Sequence, residues 1–174
     1  MPFVVFKPDS STTPVRPVFD ASSKFGKAPS VNELLEKGSN LLELLPTIIL
    51  QFREDRIGIV ADIRKAFQII EVTEKDRDYL RFLWWEDPIK RTVKIYRHRR
   101  VVFGLNFNPF LLAAVLELHL RSVKGSQKEV AQKLWRSFCV DSCATSASSY
   151  EEYERFRQLA TNSMSEAGMN LRNW

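Results

Sequence analysis

Cysteine is nearly absent from this sequence. Its 174 residues include two, Cys139 and Cys143, too few for a disulfide framework and typical of a reducing compartment. Histidine is as scarce, and His98 and His119 lie far along the chain from both thiols, so the ligand spacing of a structural zinc site is missing. Two packed thiols are the expectation instead. No apolar run approaches the ~20 residues of a membrane span, and the opening MPFVVFKPDSS has neither the basic start nor the cleavage pattern of a signal peptide. The expectation is a soluble, intracellular chain, in the cytoplasm. Repeats and low-complexity segments are also missing.

What is present suits a folded protein. Hydrophobic residues make up 44% and charged residues 27%, a globular balance, and the length suits a single domain over 1–174 with a true core. A net charge of +5 and a pI near 9.3 are compatible with a polyanionic partner without requiring one. Val4–Lys7 and Val15–Phe19 read as a hairpin around the turn formers PDSSTTP. Helical signals follow over VNELLEKG, ended by Gly38, and over NLLELLPTIILQFRED, with Pro46 at the start of its second half. RIGIVADI reads as a buried strand ending at Asp62, LRFLWW and VKIYRH as paired strands, and Pro109 opens the helix PFLLAAVLELHLRSV. A helix over SQKEVAQKLWRS, a hairpin over SFCVDSCATS, a long helix ended by Gly168 and a last strand in MNLRNW complete the chain. Strands and helices mix without a βαβ rhythm, so the expected class is α+β.

Two acids stand out. Asp62 and Asp141 each close an apolar strand, where a carboxylate is costly unless it is exposed, paired or metal-bound. Taken singly, either reads as a turn or cap residue. Together, on neighbouring strands, they would share one sheet edge. Magnesium is held by a few carboxylates plus substrate phosphates, and two such ions can clamp both oxygens of a phosphoryl transfer.

Five blocks, VRPVFDASSK, VADIRKAF, VVFGLNFNPFLLAAVLELHL, FCVDSCATS and MNLRNW, follow one another over nearly the whole chain. In order and spacing they resemble the reverse transcriptase of BEL/Pao-type long-terminal-repeat retrotransposons. The resemblance implies the fingers and palm of an RNA-directed DNA polymerase, an antiparallel sheet flanked by helices, two Mg2+ ions, a template-primer of RNA or DNA, and a deoxynucleoside triphosphate. It further implies that Asp62 and Asp141 are catalytic metal ligands, joined by the backbone carbonyl of Ile63. Lys65 and Ala66 fall where backbone N–H groups meet the triphosphate, and Phe67 falls at the steric gate that selects deoxyribose; the same ring reads equally as a core aromatic. Arg16 matches the fingers arginine of the triphosphate site, with Lys7 as its companion. Gly104 falls in the loop beneath the templating pair, where a missing side chain admits nucleic acid; it reads equally as turn punctuation. Phe103 before it is a mark of this subfamily.

The resemblance also has gaps. At the catalytic turn Cys139 stands in the tyrosine place and Ser142 in the place of the second aspartate. A hydroxyl is a weak neutral ligand, so two dications would face two carboxylates rather than three. Glu151 and Glu152 are nearby substitutes but sit on the following helix. The chain stops near the end of the palm, with thumb and RNase H missing, and Arg172 falls near the place of a cation that protonates pyrophosphate. KRTVKIYRHRR interleaves Tyr96 with cations, a pattern for phosphate and sugar contacts or for a solvated face. Two expectations follow: a reverse-transcriptase fragment impaired in catalysis, or a non-catalytic nucleic-acid-binding remnant.

Overall fold

The structure, a computed structural model, describes residues 3–8 and 14–174; the expected hairpin tip at 9–13 and the side chain of Arg16 lie outside the described residues. The elements run β1 (Phe3–Phe6), β2 (Val15–Val18), α1 (Val31–Leu34), α2 (Leu45–Phe52), β3 (Ile57–Ile63), α3 (Ala66–Ile69), β4 (Arg81–Asp87) and β5 (Thr92–Arg97), then α4 (Asn108–Ser122), α5 (Lys128–Ser137), β6 (Phe138–Cys139), β7 (Ser142–Ala147), α6 (Tyr150–Glu166) and β8 (Leu171–Arg172). Short 3-10 turns occupy Leu41–Leu44, Glu74–Leu80 and Gly125–Gln127. The class is mixed α+β with antiparallel sheets. Among the described residues no helix is long and apolar enough to cross a membrane.

The helix signals hold where an apolar face finds a partner. Pro46 sits in the first turn of α2, where its missing N–H costs nothing. The helix expected from Val31 to Gly38 instead stops at Leu34. A reciprocal capping box between Ser30 and Glu33 starts it, but none of its residues is buried, so no packing carries it further.

The chain divides into two compact units, Met1–Glu36 with Ile70–Asn108, and Lys37–Ile69 with Pro109–Trp174. In the first, β1 pairs with β2 and β4 with β5, both antiparallel. Asn32 ties its two segments together. Its Nδ2 donates to the Gly104 carbonyl at 2.9 Å, its Oδ1 accepts from Asn106 N at 3.0 Å, and its carbonyl accepts from Asn106 Nδ2 at 2.6 Å. The rings of Phe19 and Phe82 each lie 4.4 Å from that of His98, and this burial pushes the imidazole pKa down.

The second unit is built on an antiparallel sheet of order β6-β7-β3-β8. Alternation along β3 sends Ile59, Ala61 and Ile63 inward, and their neighbours Cys143, Thr145, Phe138 and Leu171 are buried with them. Helical stripes complete this core: Leu112, Leu116 and Leu120 of α4, Ala131 and Leu134 of α5, and Phe156, Ala160 and Met164 of α6. On the opposite face the end of α2 covers one end of the sheet. A Cβ at Gly58 would lie 2.6 Å from Phe52 Cζ, and Ser146, opposite Gly58 in register, donates from Oγ to the Gln51 carbonyl at 2.6 Å. The other end of that face carries Asp62.

Candidate active site

Register decides what meets at this end of the sheet. Cys139 lies opposite Ser142, Ser142 opposite Asp62, and Asp62 opposite Arg172. Directly opposed residues project to one face, so these four side chains form a row across β6, β7, β3 and β8. Asp141 sits beside the row, in the two-residue turn between β6 and β7, and its carbonyl accepts from Ile63 N at 2.9 Å. Its negative charge contributes, after burial, to raising the pKa of the Cys139 thiol. The structure therefore brings Asp62, Ile63, Asp141 and Ser142 to one sheet edge.

The turn that presents Asp141 is held in an uncommon conformation. Val140, its first central residue, has φ 59°, in the left-handed region where two-residue hairpin loops favour glycine. A β-branched residue there stores strain on the order of 1–3 kcal/mol.

Asp62 has its own partners. Arg172 Nε donates to Oδ1 and Nη2 to Oδ2, both at 3.1 Å, and Asn173 Nδ2 donates to Oδ1 at 3.1 Å. The pair is partly shielded, with 29% of the Asp62 side chain and 34% of the Arg172 side chain exposed. Asn173 reaches back through a left-handed backbone, φ 60°, a conformation asparagine tolerates better than most residues.

This donor set does not fit two magnesium ions. Magnesium requires oxygen ligands in a near-ideal octahedron, and both Asp62 oxygens already accept from a guanidinium whose charge opposes a dication. Ser142 offers only a hydroxyl. Glu152 is committed elsewhere: hydrogen bonds from the Ser148 hydroxyl and backbone N–H, with Lys133, push its pKa down to about 2. Glu151 is exposed on the first turn of α6. Among the described residues no group of three or more histidine, cysteine, aspartate or glutamate side chains could hold a metal ion.

The residues expected at the nucleotide are distributed over both units. Lys65, Ala66 and Phe67 follow Ile63 directly. Lys65 is exposed with φ 55°, Ala66 is buried, and Phe67 is half-buried on α3. Lys7, Arg16 and Gly104 belong to the first unit. Lys7 is exposed, and its N–H donates to the Pro14 carbonyl at 2.8 Å. Gly104 has a packing reason of its own: at φ 102° an added Cβ would lie 2.4 Å from the Phe19 carbonyl oxygen. The Phe19 backbone is thus close enough to require a glycine there on packing grounds alone.

The cationic hairpin is also more occupied than its sequence suggests. Lys94 pairs with Glu86 at 2.9 Å, Arg97 with Asp78 at 3.2 Å, and Arg99 with Glu71 at 3.7 Å. Tyr96 stacks on Phe82, centroids 5.8 Å apart. The acids that precede the cations in sequence, Glu71, Asp78 and Glu86, are the signal for this pairing. The thiols, by contrast, are both free: Cys139 is half-buried, and burial pushes Cys143 up to about 12.

No protein-family model matches the chain, and no curated protein matches it.

Proposed function

We propose that this chain is the fingers and palm of a retroelement reverse transcriptase of the BEL/Pao kind, impaired in template-directed DNA synthesis. One observation carries the reading. Asp62 faces Ser142 across β3 and β7, with Asp141 at the adjoining turn, where the resembled family has three acids. In that family the chemistry is nucleotidyl transfer between two magnesium ions, and positioned charge does most of the catalytic work. Replacing one anionic ligand by a hydroxyl removes on the order of 3–6 kcal/mol of transition-state stabilisation. The substrates implied are an RNA or DNA template-primer and a deoxynucleoside triphosphate, and two free thiols favour the cytoplasm.

A second reading is favoured by the Asp62–Arg172 pair, which supports a nucleic-acid-binding module that no longer uses metal. Primer extension with Mg2+ or Mn2+ separates the two. We expect no extension by the chain itself, and extension by Ser142→Asp combined with Arg172→Gln in a chain lengthened by a thumb. Robust synthesis by the unaltered chain overturns the impairment. For the second reading, salt-dependent binding to an RNA–DNA hybrid survives Asp141→Asn; no binding even at low salt removes it.

A further inference from the structure

We infer that Arg172 is the resident cation of the Asp62 carboxylate, closing this sheet edge to divalent ions and latching β8 onto β3. The inference deepens the reverse-transcriptase reading and rests on it only for which ion is excluded.

The geometry is that of a dedicated pair. Arg172 lies directly opposite Asp62, and the two guanidinium bonds go to different carboxylate oxygens, the planar fork that suits arginine and that lysine cannot reproduce. Asn173 adds a third donor to Oδ1. An ion seeking Asp62 would have to displace these bonds and approach a fixed positive charge.

The pair is also a large part of what joins the strands. β8 meets β3 through only two register pairs, Asp62 with Arg172 and Ile63 with Leu171, extended by Arg64 N donating to the Asn170 carbonyl at 2.9 Å. Leu171 is buried, and Trp174 beyond it packs edge-on against Phe156 of α6, with centroids 6.2 Å apart. The segment is thus seated on both sides of Arg172, which fixes the guanidinium in place.

The test combines manganese titration, read by the EPR signal of free Mn2+, with thermal melts of the full chain. We expect native protein to bind Mn2+ only weakly, Arg172→Gln to bind about tenfold more tightly, and Asp62→Asn to lose that gain. In melts Asp62→Asn and Arg172→Gln each lower Tm, and the double variant falls less than the sum of the two. Arg172→Lys keeps the charge without the fork, so it still excludes Mn2+ but lowers Tm; it decides the matter if Arg172→Gln does not fold. Equal Mn2+ affinity in native protein and Arg172→Gln, an unchanged Tm in Arg172→Lys, or melting losses that simply add, overturns the latch. Failure of primer extension or hybrid binding would leave both readouts intact. Tight Mn2+ binding by native protein with hybrid binding preserved would remove the latch alone.

Discussion

Gly104→Ala separates a packing role from a nucleic-acid role at one position. The added methyl group meets two obstacles. A φ of 102° costs an L-residue on the order of 1–2 kcal/mol. The new Cβ would also stand 2.4 Å from the Phe19 carbonyl oxygen, about 1 Å inside ordinary non-bonded contact. That carbonyl cannot easily withdraw, because it accepts from Ala21 N at 3.1 Å and its own ring is wedged against Phe82 and His98. Relieving such an overlap by moving backbone costs about 1–3 kcal/mol. The sum is a loss of roughly 2–5 kcal/mol, or about 5–20 °C in Tm for a chain of this size.

Gly125→Ala is the control. Gly125 has φ 71° with nothing within 4 Å of an added Cβ, so it pays the backbone term alone. Thermal denaturation of both variants, followed by far-ultraviolet circular dichroism, should show Gly104→Ala clearly the lower. If the two melt together, the close approach to Phe19 is not what requires glycine there. If Gly104→Ala keeps its Tm but loses hybrid binding, the nucleic-acid role implied by the resemblance is the correct reason.

Two further outcomes follow from the second unit. Glu152 carries a folded pKa of about 2 against an ordinary 4.5, so its contribution is fully present above about pH 4.5 and is lost as pH falls toward 2. With 41% of the side chain exposed, solvent screening reduces it to about 1 kcal/mol. Native protein should therefore melt a few degrees above Glu152→Gln at neutral pH, with the gap closing in acid; a constant gap refutes the assignment. Gly58→Ala pushes a Cβ to 2.6 Å from the Phe52 ring and should lower stability by about 1–3 kcal/mol in urea unfolding, whereas no change would mean that α2 moves freely over β7.

Much of this fold was legible because its signals are local. The short apolar run RIGIVADI, the paired apolar runs of the β4–β5 hairpin and Pro46 act within a few residues, and the elements form where they point. The helix signal beyond Leu34 misleads because composition does not tell whether an apolar face finds a partner. That Asp62 meets the turn at Asp141 was expected from two acid-ended strands lying side by side. The hold of Arg172 on Asp62 was not, because it spans 110 positions and depends on strand register, which no local pattern encodes. The same holds for Gly104, whose neighbour Phe19 comes from the other segment of its unit.

Charge balance explains why the sheet edge tolerates this arrangement. Three carboxylates at one strand end repel one another and need dications to be stable, since like charges opposite each other in a sheet are destabilising. With Ser142 in the row, two acids remain, and the Arg172 guanidinium offsets one of them directly. Asp141 stays at the turn, where partial exposure lets water solvate it. The hydroxyl at Ser142 thus avoids a repulsion, and Arg172 supplies the positive charge the edge would otherwise lack. Introducing Ser142→Asp without touching Arg172 would place a third acid beside one cation. The variant should melt below the native chain in the absence of metal, and added Mn2+ should recover part of the loss only when Arg172→Gln is also present; a rise in Tm in metal-free buffer would mean that Asp62 and Ser142 do not share a face.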